Sequence, residues 1–589
     1  MKKRIYAQVA LIALLGFLVY FNSLSGKFIW DDYCYVKNNS HITSFSYLPG
    51  LFTEDIGAGS GVPSFFYRPF QMVTYMIDYA LWGLNEFGYH LINLILHIIV
   101  SLCIYWMVTA LFEQRVVAFL TSLLFIAHPA HVEAIASISG RAEPLVALFM
   151  LVMVILYSKQ LSSGSRKLYA LTLLSFVCAL LSKENALIAP LLILLYHFTF
   201  TKKIKPGLFL SILAVSLSYI IIRISVLSRL LTESLLPYTP DARTFFSRIP
   251  GFFSALVFYL RILVLPFDLR VDYGSRLFRF SDPAVIIGMA ITVFLTVYAF
   301  KRRRKDKLLF FSVIWFYITL LPSANIYKIN ESFMKEHWLY IPSIGFFLVL
   351  ARSLVSLYGS RLKAAAVFST VALLCFYSYL TARQNVYWSD PIVFMKRSMQ
   401  YSDNYVFYEQ LGLEYYNRGN FKEAADYYKE AIRRVPGNSR LYEALGVCYK
   451  ALGRYKDAIA AYQRLLGMRP AESSAYYELG DLYDKAGEAS EAVKAYSKAI
   501  ELSPAYLEAH NNLAALYADT GEVKRAITLW ERAVEIDPDF AIAHFNLAVF
   551  YYQQREYRLA VRHCDKVLQL GNAVDPEFLR LLEPYRTRE

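Results

Sequence analysis

The sequence predicts an all-α protein, built as a polytopic bundle of membrane helices followed by an α-solenoid. Three observations support this fold class. Residues from AVILMFWYC make up 56% of the 589-residue chain, only 18% are charged, and the mean hydropathy is +0.35. Charge-free stretches about as long as a membrane helix recur through residues 1–400, whereas residues 401–589 are polar and repeat at a fixed interval. These features exclude a disordered chain and argue against a wholly soluble one.

Apolar stretches in residues 1–400 are candidates for membrane helices, because about 20 apolar residues cross the ~30 Å hydrocarbon layer. They are 5–26, 87–112, 116–130, 144–158, 168–182, 185–201, 206–222, 249–260, 283–300, 308–327, 337–351 and 364–382. The stretch 249–260 is cut short by Arg248 and Arg261, so we expect it to lie in the outer interface. Eleven spans then remain, with a first outer loop at about 27–86.

Basic residues give the orientation, because cytoplasmic loops are enriched in Lys and Arg. The opening MKKR places the N-terminus in the cytoplasm, and the run 301–307 marks another cytoplasmic loop. The same opening also fits a cleaved signal peptide, but its apolar run is long for one, and we interpret it as the first span. With an odd number of spans, we expect the repeats on the outer side, in the periplasm or a topological equivalent. The compact loops favour a bacterial inner membrane. Because the basic residues flank apolar stretches, the sequence indicates contact with membrane lipid and no nucleic-acid partner.

The second part repeats every 34 residues. The interval relates Leu411, Leu445, Leu479, Leu513 and Leu547, and equally Ala424, Ala458, Ala492, Ala526 and Ala560. This is the tetratricopeptide pattern, which predicts five repeats over 401–574 and a capping helix over 575–589. Such a solenoid has a concave face that usually binds a polypeptide. A rigid spacer or a dimerisation arm is the alternative.

Candidate chemistry begins with two adjacent carboxylates, Asp31 and Asp32, a few residues beyond the first span. Neighbouring carboxylates beside apolar surface raise each other's pKa, which suits a general base or a metal ligand. Later outer loops add further ionisable and aromatic groups: Arg68, His128, His131, Glu133, Arg141, Glu143, Lys183, Glu184, Asp272, Lys335, Glu336, His337 and Tyr340. Cations at this level are suited to hold a lipid-linked phosphate.

Two observations on the sequence weaken other assignments of function, namely a metal site and several common enzyme classes. His128, His131 and Glu133 lie within six residues and could ligate a metal, but this spacing lacks a third defined ligand and is weak support. The sequence also lacks G-x-x-x-x-G-K-[ST], G-x-G-x-x-G, H-E-x-x-H and G-x-S-x-G motifs. ATP-driven transport, Rossmann redox chemistry, zinc proteolysis and serine hydrolysis therefore lose support.

Several motifs resemble the transmembrane and tetratricopeptide-repeat protein O-mannosyltransferases. They are Trp30-Asp31-Asp32, Tyr67-Arg68-Pro69-Phe70, His128-Pro129-Ala130-His131-Val132-Glu133, Gly140-Arg141-Ala142-Glu143, Asp272-Tyr273 and Glu336-His337-Trp338-Leu339-Tyr340. The order of membrane part and repeats is also similar. Glu143 and His337 depart from the Asp and Arg that family members often carry at these places.

The resemblance implies an inverting type C glycosyltransferase that uses a polyprenyl-phosphate sugar, with mannose as the first expectation. It implies that Asp31 or Asp32 is the general base and that Arg68, Arg141, Lys183 and His337 are candidates for the donor phosphate. A Ser or Thr hydroxyl of a protein held by the repeats would be the acceptor. No cofactor is required, and the role of a divalent metal stays open. The alternatives are a non-enzymatic membrane-anchored scaffold, or an enzyme acting on lipid or envelope glycan.

Overall fold

A computed structural model of the chain describes residues 2–200, 206–233, 242–274, 276–324 and 332–586. The regular elements in these ranges are helices, and no strand occurs in them, which confirms the all-α fold class. The chain divides into two compact units, Met1–Ser402 and Asp403–Glu589. This division lies two residues from the boundary predicted at 400 and 401.

The first unit is a bundle of mostly apolar helices, joined by connections that range from short turns to the long first outer loop. Its α-helices are Lys2–Tyr20, Pro69–Trp82, Glu86–Phe112, Arg115–Ala127, Val132–Ala136, Ala142–Ser163, Arg166–Ser182, Ala189–Phe200, Pro206–Glu233, Ala242–Val264, Pro283–Arg302, Lys307–Leu320, Ser343–Tyr358, Lys363–Tyr387 and Pro391–Met399. The predicted first outer loop contains the helix Pro69–Trp82 and several single helical turns.

Seven helices of the described ranges are long and apolar enough to cross a membrane. An eighth is reached if the helices Arg115–Ala127 and Pro129–Ala136, which meet at 58°, form one broken span. The count is lower than the eleven predicted, because the other predicted segments form helices of 17 residues or fewer. The last residue of the predicted segment 185–201 and the end of the segment 308–327 lie outside the described residues.

The segment 249–260 corrects one expectation. It lies within the helix Ala242–Val264, which continues past both flanking arginines, and its part Phe246–Val264 is long and apolar enough to span. The prediction that it lies in the interface depended on its shortness. That basis is removed, because a single charged residue does not end a helix whose backbone hydrogen bonds continue.

The second unit consists of paired antiparallel helices, as the repeat predicts. They are Tyr405–Asn417, Phe421–Arg434, Ser439–Ala451, Tyr455–Met468, Ser473–Lys485, Ala489–Leu502, Leu507–Asp519, Val523–Ile536, Ala541–Gln553 and Tyr557–Gln569, followed by Pro576–Leu582. Small residues let the helices approach closely: a Cβ on Gly480 would lie 2.6 Å from the Tyr496 ring. Gly453, with φ 70°, makes the turn between two helices of one repeat. The last three residues of the predicted capping segment, 587–589, lie outside the described residues.

The candidate site begins where two membrane helices end side by side. The Asn385 side chain donates to the Val19 carbonyl at 3.0 Å, and the Asn22 side chain donates to the Ala382 carbonyl at 2.8 Å. The helices Lys2–Tyr20 and Lys363–Tyr387 therefore end on the same side of the bundle. The loop that carries the paired acids starts from this junction.

Candidate active site

Asp32 is a buried residue that holds the loops of the site together. Its Oδ1 accepts the Ser139 amide at 2.7 Å, and its Oδ2 accepts the Ile29 amide at 3.1 Å. The Ser137 hydroxyl donates to Oδ1 at 3.4 Å. Burial raises the pKa of Asp32 to about 6, although the backbone amides oppose this by stabilising the carboxylate. Asp32 therefore ties the first outer loop to the loop at 137–139.

Asp31 points away from these partners and is exposed. No other described residue forms a hydrogen bond or an ion pair with its carboxylate. The surrounding protein removes enough water to raise the pKa of Asp31 to about 6, while Lys335, His337 and Arg68 pull it down in that order. Trp30, immediately before Asp31, has φ 50°, in the region that favours glycine. Such backbone strain often occurs at functional sites. Asp31 is thus a carboxylate without a hydrogen-bond or ion-pair partner among the described residues, within electrostatic reach of Lys335, Glu133, His337 and Arg68.

His337 is held by Glu133. The Nδ1 atom of His337 lies 2.9 Å from Glu133 Oε1, and the His337 backbone amide donates to Glu133 Oε2 at 3.1 Å. Two contacts from one carboxylate fix both the ring and the backbone of the residue. Glu133 therefore positions the His337 imidazole, and two residues that the sequence singled out separately meet across 204 positions.

Arg68 and Glu184 form a bidentate ion pair. Arg68 Nη2 lies 2.9 Å from Glu184 Oε1, and Arg68 Nε donates to Oε2 at 3.2 Å. The Arg68 guanidinium also lies over the Phe66 ring, 4.3 Å from its centroid. Arg223, which the sequence did not single out, approaches Glu184 at 3.9 Å. This pair is partly exposed, and two cations share its one carboxylate.

Lys183 and Glu143 form a second, nearly buried ion pair, with Lys183 Nζ in contact with Glu143 Oε1. The same oxygen, Glu143 Oε1, lies 3.9 Å from the Nε2 atom of His337. Glu143 therefore links the lysine to the histidine near Asp31. The structure brings both predicted residues to the site, where they support His337.

Glu336 is buried beneath the cluster. It accepts the Tyr273 hydroxyl at 2.6 Å and also accepts the Arg270 backbone amide. Burial, reinforced by the nearby charge of Glu133, raises the pKa of Glu336 to about 8. Glu336 is therefore a protonated acid near neutral pH that fixes the loop at 270–273 rather than a charged ligand.

The structure distinguishes Lys335 from the other basic residues near Asp31. Its Nζ donates to the Val271 carbonyl at 2.5 Å, and it forms no ion pair with any described residue. It has the largest effect of any cation on Asp31. The sequence places Lys335 beside Glu336 and His337, but charge alone could not show which of the basic residues lacks a carboxylate partner.

Arg141 does not face this cluster. It is fully buried, with Nη1 2.5 Å from Asp78 Oδ2, while its Nε donates to the Asn93 side chain at 2.6 Å and Nη2 donates to the Tyr89 carbonyl at 3.0 Å. Its positive charge is already neutralised, and its hydrogen bonds are made within the protein. The structure therefore places Arg141 in a packing role between loops.

His131, Tyr340 and Asp272 also lie away from Asp31. His131 is buried between the Phe125 carbonyl at 2.9 Å and the Ser343 hydroxyl at 3.0 Å, and the Tyr340 hydroxyl lies 2.7 Å from His97 Nδ1 in the core. Asp272 accepts the Gly274 amide and caps its own turn. Since His131 and Glu133 contact different partners, they do not form a common metal site in this structure.

The comparisons with known proteins match both parts of the chain. Models described as "Tetratricopeptide repeat" match residues 410–475 and 449–506, and one described as "TPR repeat" matches 516–554. The chain is 27% identical over 494 residues to "Protein O-mannosyl-transferase TMTC1" of Homo sapiens, covering 72% of this chain and 55% of the relative. It is 25% identical over 442 residues to a protein O-mannosyl-transferase of Caenorhabditis elegans, covering 73% and 63%.

Among solved structures, the "Crystal structure of MamA" aligns with a TM-score of 0.26 and 27% identity, over 27% of this chain and 94% of that one. The chain spans between about half and two thirds of the length of the two relatives above. The matches to them extend over nearly three quarters of this chain, well beyond the repeats. They confirm the resemblance drawn from the motifs, and the chain is a homologue of the transmembrane and tetratricopeptide-repeat protein O-mannosyl-transferases.

Proposed function

We propose that the chain is an integral-membrane glycosyltransferase that moves a mannose-type sugar from a polyprenyl-phosphate donor to a Ser or Thr hydroxyl of a protein. The observation that carries this proposal is the Asp31 carboxylate, unpaired among the described residues and within electrostatic reach of Lys335, His337 and Arg68. Names of the relatives support a mannosyl transfer to protein. The donor, the inverting course and the position at the outer membrane face are our extension of that chemistry.

Asp31 is the group best suited to act as general base. A base must accept a proton from the acceptor hydroxyl, so its carboxylate must be accessible and must not be fully occupied by internal donors. Asp31 meets both requirements, whereas the carboxylate of Asp32 is buried and accepts three backbone amides, from Ile29, Ile138 and Ser139. We therefore assign the base to Asp31 and a positioning role to Asp32.

Lys335 is the group best suited to hold the donor phosphate. Its charge has no carboxylate partner among the described residues, so an incoming phosphate would not need to displace an existing ion pair. Arg68 and His337 add positive potential, although each is already paired with a glutamate. Preorganised cations of this kind stabilise the negative charge that builds on a leaving phosphate.

The reaction then follows from these two positions. The acceptor oxygen forms a bond to C1 of the sugar as the bond from C1 to the phosphate oxygen breaks. The hydroxyl proton passes to Asp31, and the electron pair of the broken bond leaves with the polyprenyl phosphate, beside Lys335. Attack from the face opposite the phosphate inverts C1. The scheme uses only side chains of the chain and does not call for a metal.

The repeats are proposed to bind the acceptor polypeptide. Tetratricopeptide solenoids present a concave face to peptides, and tethering the acceptor to the same chain raises its effective concentration near the enzyme. The buried Ala, Leu and Tyr positions of the repeats build the scaffold of this face and do not select a particular sequence. The repeat unit therefore supports a protein acceptor without specifying which one.

Transfer measured with the two aspartate variants tests the assignment. The purified full chain receives a radiolabelled polyprenyl-phosphate mannose and a peptide rich in Ser and Thr. We expect Asp31→Asn to lower kcat by a factor of roughly 10² to 10⁴ without changing the melting temperature, because only the proton acceptor is lost. Asp32→Asn should instead lower the melting temperature, because it weakens buried hydrogen bonds.

The contrary results are distinct. If Asp31→Asn transfers sugar at the wild-type rate, Asp31 is not the base. If Lys335→Met binds donor as tightly as wild type, the phosphate lies elsewhere. Label found in lipid or glycan rather than peptide would show that the acceptor class is wrong while the transferase chemistry stands. No transfer from any polyprenyl-phosphate sugar would favour the membrane-anchored scaffold.

A further inference from the structure

We propose that a second pocket of the membrane unit binds the phosphate headgroup of a membrane lipid. The pocket has a cavity volume of about 80 Å³ and is open to solvent. Residues 266–269, Leu380, Arg383, Gln384, Tyr387 and Arg397 line it. The lining does not include Asp31, Lys335, His337 or Arg68, and the proposal does not depend on the proposed transferase activity.

The pocket presents positive charge that the protein does not neutralise. Arg383 and Arg397 form no ion pair with any described residue, and neither does Arg270, which follows the lining residue Leu269. The Nε atoms of Arg397 and Arg270 are buried and lack a hydrogen-bond acceptor in the described part of the chain. Buried guanidinium nitrogens normally find an acceptor. An anionic oxygen in the pocket would supply one.

Aromatic rings hold the arginines in fixed positions. The Arg270 guanidinium lies 5.2 Å from the Tyr273 ring centroid and 4.8 Å from that of Tyr401. The Arg397 guanidinium lies 4.6 Å from the centroid of the same Tyr401 ring and 4.7 Å from the centroid of the Tyr387 ring. The alternating stack orders the side chains before a ligand arrives. Preorganised donors of this kind bind with less loss of entropy.

The pocket lies at the level where two membrane helices end. Its lining residues follow the candidate span Phe246–Val264 and include the last turn of the candidate span Lys363–Tyr387. The Tyr377 hydroxyl donates to the Leu263 carbonyl at 3.1 Å, so the end of the helix Ala242–Val264 packs against the second half of the helix Lys363–Tyr387. Beside the arginines, Phe267 is 47% exposed. A lipid whose phosphate lies beside the arginines and whose hydrocarbon chains lie along Phe267 would match the charged part and the apolar part of the pocket.

The single carboxylate of the lining narrows the ligand further. Asp268 is exposed and has φ 57°, a strained backbone conformation for a residue with a side chain. A carboxylate would repel a bare phosphate but would accept hydrogen bonds from an ammonium or hydroxyl group attached to it. The shared chemistry is therefore a lipid phosphate with a hydrogen-donating substituent. Phosphatidylethanolamine and a polyprenyl-phosphate sugar both carry it.

Lipid-dependent thermal stability tests this site. The full chain is delipidated in detergent, and its melting temperature is followed while phosphatidylethanolamine, polyprenyl-phosphate mannose or diacylglycerol is added. Diacylglycerol has the chains without the phosphate. The double variant Arg383→Gln, Arg397→Gln is compared with Arg276→Gln, which removes an exposed cation paired with Asp282. A milder variant, Arg383→Lys with Arg397→Lys, keeps the charge and removes the planar fork.

We expect a phosphate lipid to raise the melting temperature of the wild type and of Arg276→Gln. In the glutamine double variant, the concentration for half of this effect should rise at least tenfold. If that variant does not fold, the lysine variant decides, with an expected rise of about threefold. An unchanged response in the variant that folds, or an equal response to diacylglycerol, would overturn the proposal. Response to only one of the two phosphate lipids identifies the source of the ligand.

Discussion

Replacing Asp78 by Asn should strongly destabilise the membrane unit, because it leaves the Arg141 guanidinium buried without its counter-ion. The two side chains approach to 2.5 Å, and Arg141 has no exposed surface. Breaking such a buried pair from one side costs about 3 to 5 kcal/mol. This corresponds to a change of roughly 10² to 10⁴ in the folding equilibrium. The remaining hydrogen bonds of Arg141, to Asn93 and to the Tyr89 carbonyl, do not neutralise the charge.

The assay is chemical and thermal unfolding of the purified full chain in detergent. Lys27→Gln is the matched control, since Lys27 forms an exposed pair with Glu86 at 3.9 Å, and removing it should cost less than about 1 kcal/mol. The double variant Asp78→Asn, Arg141→Gln should lose less stability than the sum of the single variants, because it removes both charges. Equal stability of Asp78→Asn and Lys27→Gln would refute the packing role of Arg141.

Three further predictions concern pH and the repeats. Because a base with a pKa of about 6 must be deprotonated, kcat/KM should fall about tenfold per pH unit below about pH 6 and level off above it, as a pH–rate profile would show for Asp31. The pKa of Glu336 is raised to about 8 from about 4.3 in the unfolded chain. The stability that protonated Glu336 contributes should therefore be complete below about pH 4.3 and be lost as the pH rises through about 8. The melting temperature of Glu336→Gln should depend less on pH between these two values than that of the wild type. Gly480→Ala should destabilise the repeats by about 1 to 3 kcal/mol through a clash with Tyr496, whereas Gly467→Ala, with open space around it, should be neutral or stabilising in calorimetry of the full chain.

The elements of this protein could be predicted from local patterns. The 34-residue repeat fixes the paired helices of the second unit, since each copy carries the same apolar and small residues. Long apolar runs likewise predict where most membrane helices lie. Their ends were harder to predict: the helix Ala242–Val264 continues through Arg248 and contains Pro250. Helix ends depend on capping and on packing with distant segments, which a local pattern does not contain.

The partners of the charged residues could not be predicted. Asp32 meets Ser139 across 107 positions, and Arg68 meets Glu184 across 116. Before folding, Asp31 and Asp32 have almost the same sequence surroundings. They differ only because adjacent side chains point in different directions, so one enters the protein and accepts backbone amides while the other stays exposed. The sequence therefore predicts a pair of acids in this loop, and the long-range contacts distinguish their surroundings.

Whether a charged side chain already has an ion-pair partner within the protein decides how readily it can act on a substrate. A carboxylate or cation that is already neutralised by a buried partner must lose that partner before it can bind or transfer a proton, and this loss opposes catalysis. Among the described residues of the cluster, Glu133, Glu143 and Glu184 each have a cationic partner, whereas Asp31 and Lys335 have none of opposite charge within ion-pair distance. The two are nevertheless close enough for Lys335 to lower the pKa of Asp31. In the proposed reaction, Asp31 would receive the proton of the acceptor hydroxyl while Lys335 binds the donor phosphate. Lys335→Met should therefore raise the pKa of Asp31 seen in the pH–rate profile and also weaken donor binding. An unchanged profile would show that Lys335 does not act on the group that accepts the proton.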